Sequence, residues 1–207
     1  MRIGIYGGSF NPPHIGHLYI AEEAKRIMRL DEVVLLPAGN PYFKDEKGVA
    51  DKYDRLEMTK LLVMDSINNL AYHELEVERE GPSYTIDTLR QYKEWHPNAE
   101  LYLIVGKDAF SDMGSWREPE EIMKLCTVVV INREEDPFIG YDRIDMNATP
   151  IFAWWNDYAD KVFFLDLQKF SVSSTMIRES IKGKLNWKHL TTANVAEYIE
   201  KHHLYGA

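Results

Sequence analysis

A doubly wound parallel α/β sheet is the fold that this 207-residue chain predicts, and three observations point to it. Short β-branched runs are apolar almost without interruption, as strands covered on both faces are. Longer stretches between them carry apolar residues at every third or fourth position, the period of a helix that packs one stripe. The two kinds of segment alternate along the chain, which is the order of βαβ units rather than of a sandwich or a bundle. With 45% apolar residues the chain can also bury a sizeable core.

The elements follow in order. Ile3-Gly4-Ile5-Tyr6 opens the sheet, and Ile15, Leu18, Ala21 and Ala24, with Ile20, Ile27 and Met28, mark the first helix. Val33 to Leu36 is the second strand. Pro37 to Ala50, with Gly39, Pro41 and Gly48, reads as an irregular substrate loop. Asp51 to Met64 has helical period with Asp51 as its cap. Leu70 to Glu78 alternates weakly and is expected to be a further strand. Ser83 to His96 reads as a helix started by Ser83, and Leu101 to Val105 as a strand. Pro119 to Leu125 is a helix begun either by Ser115 or by Arg117-Glu118-Pro119. Val128 to Ile131 and Val162 to Leu165 complete the sheet, whereas Arg133 to Asp160 takes no assignment. Ser174 to Ile181 and Thr192 to His203 are helical. No repeat or low-complexity linker divides the chain, so a single domain over 1–207 is expected, a core to about 170 and a small helical part from about 171. In such a sheet, ligands bind outside the carboxyl ends of the strands, where the winding direction reverses.

Charge narrows the search. Lys and Arg total 24 against 33 Asp and Glu, a net charge of −9. That balance gives no general attraction to nucleic acid or anionic membranes, so neither is expected as a partner and anion binding has to be local. The single Cys126 lies in a core-like run and cannot form an internal disulfide. Met1-Arg2-Ile3-Gly4-Ile5-Tyr6 reaches Gly7-Gly8 too soon for the apolar region of a signal peptide, and no apolar run approaches the ~20 residues of a membrane span. A cytoplasmic protein is expected.

The first strand runs into Gly7-Gly8-Ser9-Phe10-Asn11-Pro12-Pro13-His14-Ile15-Gly16-His17. Physically this is an anion site. Glycines let backbone approach a ligand, and the helix behind them presents free N–H groups and the positive end of its dipole. If that helix begins near Pro13, His14 and His17 lie on one side of its first turn, two imidazole donors for phosphate oxygens. The same spacing suits zinc, but no third ligand is suggested nearby, and no protein metal site is expected. Near the other end, Ser171-Val172-Ser173-Ser174-Thr175-Met176-Ile177-Arg178 supplies hydroxyls and N–H groups at a helix start with an Arg one turn in, a second anion cradle opposite the first.

The first string resembles the Gly-x-Phe-(Asp/Asn)-Pro-x-His-x-Gly-His signature of the nucleotidyltransferase superfamily that includes nicotinate and nicotinamide mononucleotide adenylyltransferases, phosphopantetheine adenylyltransferase and cytidylyltransferases. The second is similar to that superfamily's Ile-Ser-Ser-Thr-x-Ile-Arg element, with Val172 in place of Ile. Class I aminoacyl-tRNA synthetases share His-Ile-Gly-His, but this chain is short for one and lacks their Lys-Met-Ser-Lys-Ser loop. Gly81-Pro82-Ser83-Tyr84-Thr85-Ile86-Asp87-Thr88-Leu89 looks like the corresponding stretch of the bacterial nicotinate mononucleotide adenylyltransferases, as does Gly106-Lys107-Asp108 at the end of its strand. The likeness covers nearly the whole chain and is weakest over Arg133 to Asp160.

The resemblance implies a Rossmann-like nucleotidyltransferase fold in which the C-terminal helical part completes an ATP site. It implies adenylyl transfer from ATP to nicotinate mononucleotide, giving deamido-NAD and pyrophosphate by direct in-line attack of the substrate phosphate, in NAD synthesis. His14, His17 and Arg178 are then catalytic. Gly7, Gly8, Ser9, Phe10, Gly106, Asp108, Ser173, Ser174 and Thr175 bind ATP, with Asp108 placed to meet a ribose hydroxyl. Asn40, Lys44, Thr85, Trp116 and Arg117 bind the mononucleotide, Trp116 stacking on the pyridine ring. In Asn40-Pro41-Tyr42-Phe43-Lys44 the family's Asn-Pro-Pro-His-Lys loses a Pro and a His. Arg133 also matches a recurrent family Arg, and equally suits a solvated strand end. Mg²⁺ is expected to be carried mainly by the ATP phosphates. Two other readings stay open: preference for nicotinamide mononucleotide, or a non-catalytic adenine-nucleotide sensor on the same fold. The pair Trp154-Trp155 marks either an interface of a homo-oligomer or part of the core.

Overall fold

The computed structural model describes residues 1–40, 48–132, 155–167 and 171–207, with Trp155 and Asn156 defined by backbone alone. Six strands, β1 (Arg2–Gly8), β2 (Glu32–Pro37), β3 (Ala71–Tyr72), β4 (Glu100–Gly106), β5 (Cys126–Asn132) and β6 (Val162–Asp166), pair in the order β3-β2-β1-β4-β5-β6. Every pairing is parallel. The helices are α1 (Ile15–Ile27), α2 (Lys52–Met64), α3 (Leu75–Glu78), α4 (Thr85–Trp95), α5 (Lys107–Ser111), α6 (Pro119–Leu125), α7 (Ser174–Lys182) and α8 (Ala193–Lys201).

Double winding is visible residue by residue in the strands. Val33 and Leu35 of β2 join one buried cluster with Ile20, Ala21 and Ala24 of α1 and Met58 and Leu62 of α2. Their neighbours Val34 and Leu36 point to the other face, against Ile86 and Leu89 of α4 and Ile122 and Met123 of α6. Alternate side chains of one extended strand face opposite ways, so a strand with a core on both faces has to be apolar throughout. Winding reverses between β1 and β4, which puts the carboxyl ends of those two strands at the switch point.

Two expectations about local structure are corrected. Leu70 to Glu78 is a strand only over Ala71–Tyr72, pairing with Val34 and Leu35, and then turns into α3. The His73 imidazole Nδ1 accepts the N–H of Leu75 at 3.0 Å, a local bond that competes with the sheet ladder. Ser83 does not cap α4. Tyr84 holds the cap position, and Ser83 turns its hydroxyl to the loop after β2. The Asp51 cap is as expected, accepting from Tyr53 N–H at 2.8 Å. Of the two starts offered for α6, the Glu118-Pro119 one is found, with Glu118 at a left-handed φ of 52° and Pro119 at the first helical position.

The C-terminal helices are integral to the core. Ile177, Val195 and Ile199 are fully buried in the same cluster as α1 and α2. Among the described residues no helix is long and apolar enough to cross a membrane. Lys44, Arg133 and Trp154 lie outside the described residues.

Candidate active site

Every described sequence-derived site residue except Asn40 lines one cavity of about 920 Å³ at the carboxyl ends of β1 and β4. That volume lies in the upper part of the ~300 to 1,000 Å³ range of small-molecule sites. Asn40 is exposed beside the cavity.

The glycine-rich end of β1 supplies one wall. Gly7, Gly8, Ser9 and Phe10 line the cavity, with Phe10 at φ 45° and 2% exposed. Its ring meets Tyr6 edge-on at 5.6 Å between centroids and His17 at 5.0 Å. A buried aromatic residue tolerates a left-handed backbone only where its surroundings enforce it, and here two aromatic contacts do.

His14 is the N-cap of α1 and His17 its third residue. The two rings lie 3.6 Å apart between centroids. His17 Nδ1 accepts the backbone N–H of His14 at 3.2 Å, which puts the proton of a neutral His17 ring on Nε2. Gly16 between them sits where space is tight. A Cβ there would stand 3.1 Å from the His14 ring and 2.9 Å from Val172, so the glycine lets the segment before α7 close onto the start of α1.

The expected second cradle abuts the first rather than facing it. The Ser174 hydroxyl donates to the Pro12 carbonyl at 2.8 Å, and Arg178 Nη1 donates to the Asn11 carbonyl at 2.7 Å. Arg178 Nη2 reaches Thr175 Oγ1 at 3.3 Å. Ser173 caps α7 by accepting from Met176 N–H at 3.1 Å. Two helix starts therefore stand side by side, each with free N–H groups and a positive dipole end, over the switch point.

The other half of the cavity is built by α4, α5 and the turn before α6. Gly106 ends β4 and caps α5, and Asp108 sits exposed in the first turn of that helix. Thr85 is the first residue of α4. Trp116 is half-buried against the α4 and α6 core. The Arg117 guanidinium lies 4.9 Å from the centre of the Tyr84 ring, 3.6 Å from Asp87 and 3.7 Å from Glu118.

Further residues in and behind these walls had no role assigned from the sequence. Arg55, 1% exposed, donates from Nη1 to Ser9 O at 2.9 Å, from Nη2 to Gly39 O at 3.2 Å and from Nε to Ala50 O at 3.2 Å. Its burial pulls the guanidinium pKa down, against the pull of Tyr205 and Asp51. Asn11 donates to Gly48 O at 3.1 Å and accepts from Ala50 N–H at 3.0 Å and from the Tyr205 hydroxyl at 2.7 Å. Glu76 also lines the cavity. Burial pushes its carboxyl above the usual range, while hydrogen bonds from Thr88 and Ser83 and the charge of Arg79 oppose that. A signal existed for Arg55, because Arg55, Met58, Thr59 and Leu62 fall at i, i+3, i+4 and i+7, a charged residue in a core stripe. Burial pushes the Cys126 thiol up to about 12, so it is not a nucleophile at neutral pH. No group of three or more His, Cys, Asp or Glu close enough to hold a metal ion occurs among the described residues.

Comparison with known proteins identifies the family. A family model described as cytidylyltransferase-like matches residues 5–180. A Clostridium perfringens protein named "Probable nicotinate-nucleotide adenylyltransferase" is 38% identical over 99% of this chain and 98% of its own length. One of the same name from Dictyoglomus turgidum is 37% identical over 99% and 96%. Among solved structures, Plasmodium falciparum nicotinic acid mononucleotide adenylyltransferase complexed with NaAD has a TM-score of 0.76 at 23% identity, covering 99% of this chain and 97% of that one. At that identity the structural likeness speaks for the fold. The family model and the full-length relatives speak for more: this chain belongs to the cytidylyltransferase-like nucleotidyltransferases and, within them, to the nicotinate-nucleotide adenylyltransferase family.

Proposed function

We propose that this protein transfers the adenylyl group of ATP to nicotinate mononucleotide, forming deamido-NAD and pyrophosphate. The observation that carries the reading is the joining, in one cavity of about 920 Å³, of two abutting helix starts with an aromatic and cationic wall from Trp116 and Arg117. The first suits a triphosphate and the second a pyridine ring bearing a carboxylate.

A phosphate monoester oxygen is the nucleophile, already ionised at neutral pH because its second pKa is ~6. It forms a bond to the α-phosphorus of ATP as the bond to the pyrophosphate oxygen breaks, and no general base is needed. What remains is to hold two polyanions in line and to stabilise charge developing on the α-phosphate and leaving group. His14 and His17 supply imidazole donors, Arg178 a fixed cation, and the turns at Gly7 to Phe10 and Ser173 to Thr175 supply backbone N–H groups. Gly106 and Asp108 receive the nucleoside, the carboxylate accepting from a ribose hydroxyl. ATP would enter as its magnesium complex, since Mg²⁺ keeps several waters and is held largely by substrate phosphates. Thr85 at the start of α4 and Arg117 hold the pyridine carboxylate, and a positive end with a cation favours that carboxylate over a neutral amide. Asn40 and Lys44 belong to this half of the proposal through the family motif.

Pyrophosphate release from ATP, followed with nicotinate and nicotinamide mononucleotide in parallel, tests the proposal. Release that depends on nicotinate mononucleotide and is slower with the amide is expected. Faster turnover of the amide would reverse the substrate assignment, and no mononucleotide-dependent release would favour a sensor. Trp116→Ala is expected to raise KM for the mononucleotide roughly tenfold through lost ring stacking, and KM for ATP much less. Equal increases would mean that Trp116 serves folding.

A further inference from the structure

We propose that Tyr205 is a positioning residue for Arg178, its hydroxyl fixing the side chain of Asn11, the residue whose main-chain carbonyl holds the Arg178 guanidinium. The proposal rests on the function assigned above.

The strip Asn11-Pro12-Pro13 joins the glycine-rich end of β1 to His14 at the start of α1. Pro12 and Pro13 have no N–H to donate, so the strip is held by its carbonyls and by the one polar side chain it carries. Three successive carbonyls each accept from a side chain of the C-terminal part. Asn11 O takes Arg178 Nη1 at 2.7 Å, Pro12 O takes Ser174 Oγ at 2.8 Å, and Pro13 O takes Thr191 Oγ1 at 2.9 Å. Arg178 and Ser174 belong to a motif with an assigned role. Tyr205, in a single turn over Leu204–Gly206 after α8, belongs to none.

Its hydroxyl meets the Asn11 side chain, which has one accepting oxygen with two lone pairs and one NH₂. The Ala50 N–H can only donate, and it reaches Oδ1 at 3.0 Å. The Gly48 carbonyl can only accept, and it takes Nδ2 at 3.1 Å. These two main-chain groups settle which way the amide faces. The Tyr205 hydroxyl, 2.7 Å from Oδ1, is therefore the donor to its second lone pair. Burial raises the pKa of that hydroxyl, so the proton is in place at neutral pH. Asn11 is 5% exposed, and a lone pair left unmet there is costly.

Tyr205 stands at φ 60° and ψ 8°, a left-handed conformation that a bulky residue keeps only where its surroundings hold it. Its ring packs on the core shared by α1, α2, α7 and α8, and its hydroxyl is tied to Asn11. Asn11 is thus located by the segment before α2, by α7 and by the turn that carries Tyr205. Its bond to Arg178 is the one that reaches the cavity, which Arg178 lines. With Nη1 on Asn11 O and Nη2 on Thr175 Oγ1, the guanidinium has one seat, and Asn11 is half of it.

Steady-state kinetics on Tyr205→Phe, Arg178→Lys and the double variant in the full chain test the role, each substrate being varied in turn below the unfolding midpoints. Phenylalanine keeps the ring and removes only the donating hydroxyl. Tyr205→Phe is expected to lower kcat roughly tenfold through misplacement of the cation. KM for nicotinate mononucleotide and for ATP should stay within about twofold, the pattern of an interaction made in the transition state. Lysine keeps the charge but lacks the fork that spans Asn11 O and Thr175 Oγ1. In the Arg178→Lys background, loss of the hydroxyl should therefore lower kcat by less than about twofold. The same tenfold fall in both backgrounds would overturn the proposal, as would wild-type kcat in Tyr205→Phe or equal rises in both KM values. If Arg178→Lys shows no turnover, the split between kcat and KM in Tyr205→Phe decides. A wild type that releases no pyrophosphate with this mononucleotide overturns the functional reading, and the positioning role with it.

Discussion

His17→Ala is expected to lower kcat by about 10²-fold or more while KM for ATP changes little. The argument begins with position. His17 is in the first turn of α1, its Nδ1 engaged by the His14 N–H and its ring held between Phe10 and His14. A ring located from three sides costs no reorganisation at the moment of transfer, and in the proposed mechanism its Nε2–H is the donor to the charge that develops. Ground-state ATP has the N–H groups of two helix starts besides, so binding loses a smaller share than turnover does. Alanine is an excellent helix residue, so α1 should persist, and an unchanged unfolding midpoint measured beside the kinetics would show it. Wild-type kcat in this variant would remove His17 from the mechanism.

Arg55→Met carries the largest expected effect on stability. The guanidinium satisfies carbonyls of Ser9, Gly39 and Ala50 at 2.9 to 3.2 Å in a place almost closed to water. Methionine fills most of the volume and offers no donor, and a buried carbonyl left without one costs about 1 to 3 kcal/mol. Release of the buried charge offsets part of this, leaving a net loss on the order of 3 kcal/mol. For a chain of this size that corresponds to a fall in Tm of roughly 6 to 12 °C. Because Ser9 is proposed to meet ATP and Gly39 precedes Asn40, proposed to meet the mononucleotide, both KM values should rise together. A Tm within about 2 °C of wild type would show that water replaces the guanidinium at little cost.

Where sequence reading succeeded and where it failed has a common cause. Val33 to Leu36 and Val128 to Ile131 are visible as central strands because burial on both faces demands continuous apolar character, a property carried by neighbouring residues. Ser83 looked like a helix cap because capping is also judged locally. Its hydroxyl is taken by Gly39 and Asn40, more than forty positions away in sequence, and no local pattern records that. Leu70 to Glu78 failed similarly, since weak alternation is all that an edge strand of two paired residues and a one-turn helix leave behind.

The sequence by itself determined the doubly wound α/β class, the glycine and histidine string at the end of its first strand, and the Ser and Arg start of a late helix. Periodicity and short motifs are written in residues close together along the chain. Tertiary structure alone decided that the two helix starts touch, through a bond from Ser174 to Pro12 across 162 positions, that Arg55 and Tyr205 stand behind the walls, and that Glu76 lines them. Those side chains act by satisfying backbone and hydroxyl groups brought to them from remote segments. Which donor meets which acceptor is settled only when the sheet has closed and water has been excluded, because only then does an unmet polar group become costly.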